Sequence, residues 1–164
     1  MSKTYKSKLK FIIQKTFLAF KGVIAHHDSY FNDVEFTGSA EIEPFTRIIG
    51  VPQITIGDNF YINCNCHLLG NIQIGSNVMI GPQTIIWSRD HGIKKNMNMS
   101  DQSHVNEKVI IGDDVWIGAN VTILKGVNIG NGVVIGAGSV VTKSIPDYSI
   151  AVGNPVKIIK QRHE

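Results

Sequence analysis

The chain has 164 residues and 43% hydrophobic content, long enough to bury one sizeable core. Its net charge of +3 is mild, and its basic residues gather at the two ends: Lys3, Lys6, Lys8, Lys10, Lys15 and Lys21 at the start, Lys157, Lys160 and Arg162 in the tail. That is too little and too divided for a nucleic-acid footprint. No apolar run reaches the length of a transmembrane helix, about 18 residues or more. Gln14 and Lys15 interrupt the early apolar stretch, which carries no clear cleavage site, so no signal peptide is expected. Two cysteines two residues apart make a poor disulfide pair, and the expected compartment is the cytoplasm.

Taken in order, residues 4–21 read as a helix, with Leu9, Ile12, Ile13, Phe17 and Phe20 on one face. Such a helix either docks on the end of the main domain, covering open strand edges, or acts as a weak basic anchor at a membrane surface. This divides the chain into an amphipathic segment, 1–22, and one main domain, 23–164. Residues 22–35 are transitional. His26, His27 and Asp28 invite a metal reading, but neighbours on extended chain face apart, so a surface pair is expected. Phe36, Ile42 and Ile48 begin a loose coil, and two extra residues fall near Gly50 to Pro52.

From Ile56 the sequence keeps a beat of six: Ile56, Ile62, Leu68, Ile74, Ile80 and Ile86. Residues 92–110 break it. Ile111, Ile117, Ile123, Ile129, Ile135 and Val141 resume it. Three positions after each aliphatic residue stands mostly Asn, Asp or Gly, which tolerate positive φ and predict a turn. Four positions after it the residue is often small or β-branched, as at Cys66, Val78, Thr84, Val115, Val121, Val127, Val133 and Ser139. Both positions should point inward. A helix needs a period near 3.6 and a strand alternates by two, so a strict short repeat predicts a solenoid whose coils bury one another. The break at 92–110 is long enough to be functional. Ser149–Lys160 closes the domain, with the tail after Pro155 expected as a short helix or strand.

The run IGDDVWIGANVTILKGVNIGNGVVIGAGSVVTKSIPDYSIAVGNP, residues 111–155, resembles the bacterial hexapeptide-repeat sugar O-acetyltransferases, including galactoside, maltose, O-antigen and capsule enzymes. The resemblance covers residues 54–160. It implies an all-β, left-handed parallel β-helix, here of about five coils, with an N-terminal α-helix and one long loop at 92–110. The left hand comes from the resemblance alone, since the general rule for parallel connections is right-handed. It further implies a homotrimer, acetyl-CoA as co-substrate and a carbohydrate acceptor, either nucleotide- or lipid-linked. With the basic helix, it places the chain in surface-polysaccharide synthesis, cytoplasmic or peripheral at the inner membrane.

Acetyl transfer to a hydroxyl needs a base near neutral pH, which imidazole suits. His91 opens the long loop in Trp87-Ser88-Arg89-Asp90-His91-Gly92, and the resemblance makes it the general base. The plainer reading is a surface histidine at a loop mouth. His104, inside the loop, is the competing base, otherwise a solvated loop histidine. Asp90 is not expected to orient His91, its neighbour on extended chain. Asn63, in Tyr61-Ile62-Asn63-Cys64-Asn65, resembles the acceptor-pocket asparagine, whose amide binds a sugar hydroxyl or the oxyanion. Trp116 resembles the tryptophan that borders the site, or else packs at a subunit interface. Ala119, Ala137, Thr142, Lys143, Lys157 and Lys160 carry over by position to the acetyl-CoA surface, with lysines meeting phosphates as point charges. The family often has arginine at Lys157 and serine at Ala119. Cys64, Cys66 and His67 lack a second cluster, and no metal is expected. An N-acyltransferase acting on an amino sugar is the alternative. From other classes come a carbonic anhydrase on the same fold, which needs a histidine pair five apart that this chain lacks, and a non-catalytic solenoid.

Overall fold

The computed structural model describes residues 18–20 and 22–162. The helix expected over 4–21 lies almost wholly outside the described residues. From Val23 onward the chain winds as a parallel β-solenoid with three faces, consistent with the left-handed form that the resemblance implies. The first face stacks Val23–Ala25, Ala40–Ile42, Phe60–Ile62, Met79–Ile80, Trp116–Ile117, Val134–Ile135 and Ser149–Val152 in parallel register. The second face carries His67, Ile85, Thr122 and Val140 in one column. The third stacks Ile54, Ile72 and Val109 above one another, then Ile111 against Ile129.

The first face thus holds seven rungs, against about five coils expected. The two further rungs are Ser149–Val152 at the end, expected only to close the domain, and residues 23–36 at the start. In this first rung Val23, Phe31 and Phe36 are buried at spacings of eight and five, off the six-residue beat. Two phenylalanines, Phe31 and Phe36, edge to face at 6.0 Å, fill the end of the stack. The extra residues near Gly50–Pro52 are where the register against the next rung shifts, between Gly50 and Ile54, so the corner absorbs them and the faces keep their alignment.

Inside, the periodic positions close the core as expected. Ile56, Ile62, Leu68, Ile74, Ile80 and Ile86 are buried, as are Ile111 to Val141 at intervals of six. The small partners between them, Cys66, Val78, Thr84, Val115, Val121, Val127, Val133 and Ser139, are buried too. Cys66 accordingly faces inward, its thiol pushed up to about 11 chiefly by burial and donating to the Gly81 carbonyl at 3.2 Å.

One corner carries a polar ladder along the stack. The Ser39 N–H donates to Asp58 Oδ1 (2.8 Å), Asp58 N–H to Ser76 Oγ (3.2 Å) and Ser76 N–H to Asp113 Oδ1 (2.7 Å). Asp113 N–H then donates to Asn131 Oδ1 (2.8 Å), and Asn131 N–H to Asp147 Oδ1 (2.9 Å). Each turn leaves one backbone donor unpaired, and the next rung's side chain accepts from it. The Ser39 hydroxyl, with the amides of Ser39 and Asn59, holds the Asp58 carboxyl below the usual carboxylate range. After Pro155 the chain forms the strand Lys157–Gln161, which runs antiparallel to Ser149–Val152 and ends the parallel stack.

Candidate functional site

The beat fails at one corner, between the second and third faces. Ile85–Trp87 lies on the second face, and Ser88 turns inward and is fully buried. Room for it comes from Gly70 on the rung before, where an added Cβ would meet Ser88 Oγ at 2.0 Å. The chain then leaves the solenoid as Arg89–Asp90 and returns as Val105–Asn106, the two paired antiparallel. Glu107 closes the neck, its N–H donating to the Ser88 carbonyl at 3.0 Å and its carboxylate pairing with Lys125 on the following rung. Val109 is already buried, so the core resumes one inward position before Ile111.

The excursion is ordered by its own contacts. The Gln102 side chain donates to the Lys94 and Met97 carbonyls at 2.9 and 3.0 Å and accepts from the Lys94 N–H at 2.7 Å. Gly92 passes so close that a Cβ there would meet the Gln102 Cβ at 2.8 Å. A short 3-10 turn, Met99–Asp101, completes the bend. The polar run 92–110 therefore builds a buckled hairpin, which the lost six-residue beat alone did not show.

This pairing brings together His91 and His104, with ring centroids 4.5 Å apart and planes inclined at 40°. His104, expected as a competing base or a solvated loop residue, is exposed and its ring lies against His91. Arg89 reaches across the ribbon, its Nη2 3.0 Å from His104 Nδ1. Burial, then the Arg89 charge, then His91, hold the His104 pKa below the ordinary histidine value. The Nε of Arg89 is the one buried side-chain polar atom without a hydrogen-bond partner among the described residues. Leu69, Trp87, Arg89, Asp90, His91 and His104 line a cavity of about 270 Å³. It continues across Leu69 and Trp87 into a second hollow of about 170 Å³, bounded by Arg47, Ile49 and His67. The result is an imidazole at the mouth of a groove with an apolar floor and cationic groups along its rim. Such a site can take a proton from a polar acceptor that lies on the floor.

The other expected residues lie elsewhere on the chain. Asn63 sits at the corner between the first and second faces, with its Oδ1 accepting from the Cys64 N–H at 2.7 Å. Ala119 and Ala137 stack at that same corner on later rungs, with the Gly138 N–H donating to the Ala119 carbonyl at 2.9 Å. Trp116 stands on the first face, 54% exposed, in a column with Met79, which is 51% exposed. Thr142 and Lys143 are exposed on the far edge of the second face, and Lys157 and Lys160 are exposed on the last strand. Within one chain, then, the structure joins His91 to Trp87, Arg89 and His104, and it separates His91 from Asn63 and Trp116. Sequence reasoning missed Arg89 and His104 as neighbours of His91 because an antiparallel ribbon with no apolar alternation leaves no periodic signal.

Cys66, just before the strand His67–Ile74, is buried, and His67 at its start is half-buried and faces the other way, as alternation requires. A different group has ligand atoms within 4.8 Å of one another: His26, Glu41 and Glu43, the first two 3.5 Å apart. These residues could hold a divalent ion at the outer surface of the first rungs, away from His91. Their sequence separation is one rung, which is why the His26-His27-Asp28 run did not reveal them.

The family model described as bacterial transferase hexapeptide, six repeats, matches residues 53–86 and 108–143. No curated protein sequence matches the chain. Among solved structures, a maltose O-acetyltransferase from Clostridium difficile is 32% identical, with 100% of this chain and 79% of that one covered and a TM-score of 0.67. An N-acyltransferase from Bacillus cereus, in complex with dTDP and 3-hydroxybutyryl-CoA, is 25% identical, with 92% and 88% covered and a TM-score of 0.77. A hexapeptide-repeat acetyltransferase from Vibrio cholerae, complexed with acetyl coenzyme A, is 27% identical, with 96% and 79% covered and a TM-score of 0.66.

Proposed function

This chain belongs to the bacterial hexapeptide transferases and is an acyltransferase, and from that premise we propose that it moves acetyl from acetyl-CoA to a carbohydrate hydroxyl. The observation that carries this reading is the groove in which His91 faces an apolar floor of Leu69 and Trp87. A sugar presents CH groups to such a floor and hydroxyls to its rim. His91 takes the proton from one hydroxyl, and the freed oxygen pair attacks the thioester carbonyl. The tetrahedral intermediate collapses with cleavage of the C–S bond, and the imidazolium returns the proton to the departing thiolate. Transfer is direct within a ternary complex. Cys66 is turned into the core with its thiol engaged, and the described residues that line the His91 cavity include no cysteine or serine to serve as an acyl carrier.

Asn63 and Trp116 lie on other edges of the chain than His91. They reach acceptor and cofactor only if a neighbouring subunit brings its first-face corner against the loop. The half-exposed column of Trp116 and Met79 supports such packing, since apolar surface left bare in one chain is the usual mark of an interface. A homotrimer is the assembly proposed, with Ala119, Ala137, Thr142, Lys143, Lys157 and Lys160 along the acetyl-CoA path. Light scattering that returned a monomer mass at micromolar concentration would remove this shared-site model.

The acceptor class is tested with radiolabelled acetyl-CoA and a panel of nucleotide sugars and lipid-linked oligosaccharides. The expected outcome is label on an oxygen, as an alkali-labile ester, in a sugar of surface-polysaccharide type. The second reading, N-acylation of an amino sugar, draws support from the higher TM-score of the N-acyltransferase, 0.77 against 0.67. Alkali-stable label confined to amino sugars would decide for it. Activity should survive chelation, because the proposed transfer draws on side chains alone and no histidines in the sequence have zinc spacing. No helix among the described residues is long and apolar enough to cross a membrane. Weak contact with the inner membrane through residues 1–22, from an otherwise cytoplasmic enzyme, completes the proposal.

A further inference from the structure

The contact between Arg89 and His104 dictates a tautomer. A guanidinium is charged throughout the working range and has only donors. Its Nη2 lies 3.0 Å from Nδ1 of His104, so Nδ1 holds the lone pair and the ring proton sits on Nε2. Protonating this imidazole would break the hydrogen bond and set a second cation beside Arg89. The ring therefore stays neutral, as the direction of its pKa shift also indicates. Strand register places the pair: Asn106 lies opposite Arg89 and Val105 opposite Asp90, so His104 and His91 meet at the end of the ribbon. The described residues offer the His91 imidazole no side-chain hydrogen bond; its neighbour is the His104 ring, 4.5 Å away and tilted by 40°. Asp90 shares the cavity but lies within the ribbon, on the strand that pairs with Val105.

We infer that His104 is a positioning residue for His91: pinned by Arg89 as its Nε2–H tautomer, it braces the His91 ring at the angle from which that ring takes the acceptor's proton. Neutrality matters to this role. When His91 becomes imidazolium, a neutral neighbour adds no like charge beside it. Arg89 acts one step further out, through His104. The inference rests on His91 being the base, and its test separates the two ideas.

The full chain, labelled with 15N in its histidine rings, is titrated by NMR without substrates. The expected result is a His104 with unprotonated Nδ1 and protonated Nε2, a signature lost in Arg89→Gln. A His104 bearing its proton on Nδ1 would overturn the inference whatever the enzyme's acceptor proves to be. Kinetics supply the second readout, on variants whose thermal unfolding matches wild type. His104→Ala should lower kcat about ten- to a hundredfold, the scale of a misplaced catalytic group, with KM for acetyl-CoA nearly unchanged. His104→Phe, which keeps a flat ring and loses the nitrogens, should retain most of kcat. An unchanged kcat in His104→Ala would end the inference. So would a His104→Phe variant as damaged as His104→Ala, since the imidazole itself would then be acting on substrate. If His91→Ala stays active while His104→Ala does not, the assignment of His91 as base fails as well.

Discussion

Rungs 111–145 and the excursion 89–106 are built from the same chain by opposite rules. In the rungs, each inward side chain is buried between copies of its own position one turn away, as Ile123 is between Ile86 and Val141. Order there comes from repetition, and any one position is supported from both sides. The excursion has no copy to lean on. It is held by single contacts: the antiparallel pairing of Arg89–Asp90, the buckle of Gln102 and the neck between Ser88 and Glu107. Repetition gives a rigid frame but places equivalent side chains on every turn. A unique arrangement such as His91 beside His104 needs the repeat to stop.

Four measurements can break or sharpen this contrast. The largest effect is expected at His91. His91→Ala should lower kcat about 10²–10⁴-fold, the usual range for loss of a general base, with thermal unfolding unchanged because the residue is exposed and outside the stack. A large fall in unfolding temperature would show that loop and frame are not separable. Next comes the frame. Ile123→Ala removes a fully buried side chain and should cost about 2–5 kcal/mol in denaturant unfolding. A cost under about 0.5 kcal/mol, typical of an exposed surface position, would deny the rungs their mutual support.

Gln102→Ala should act more locally. It deletes three hydrogen bonds that tie the loop together, worth about 1–3 kcal/mol in net terms. Hydrogen exchange should speed up over residues 92–104 while residues 111–145 keep their protection. Uniform loss of protection in both regions would contradict the division. The smallest effect is one of pH. Because the His104 pKa is lowered in the folded loop, the unfolded loop binds that proton more readily. Its contribution is whole above the ordinary histidine range and is lost as pH falls through the lowered value. Loop protection, corrected for intrinsic exchange, should therefore decline on acidification in wild type. In Arg89→Gln the decline should be flatter, and an equal decline there would show that other groups set it.

The contrast also sets what could be read in advance. Ile111, Ile117 and Ile123 announce the rungs, because burial at a fixed spacing is a property of residue type and position together. The turns were partly legible. Asn59, Asn65, Asn77, Asp114 and Asn120 have the expected positive φ, but so do Phe45 (60°), Gln83 (60°) and Tyr148 (57°), whose side chains do not favour it. There the stack imposes the turn that the residue would not choose. At Asn71 the reverse holds, since Gly70 before it takes the positive φ of 113°. The first rung stayed hidden because Val23, Phe31 and Phe36 are spaced by eight and five. In the site, His91 could be found as the residue at the break. Its partner could not, because cross-strand pairing in a short ribbon is decided by register, for which two-residue strands give no pattern.

The last strand, Lys157–Gln161, sets a limit on growth. A parallel stack of identical rungs has the geometry of a fibre: its open end offers a row of unpaired amides and carbonyls to any similar strand. Here the final rung, Ser149–Val152, is met by a segment running the other way and out of step at Ile150 and Ala151. That segment turns Lys157 and Lys160 outward on its length. A second molecule arriving end to end on this face would find a reversed strand in place of the next parallel rung, with Ile158 and Ile159 exposed between the lysines. On this face the run of parallel rungs thus closes on a strand of opposite direction, which is not a template for one more rung of the same kind.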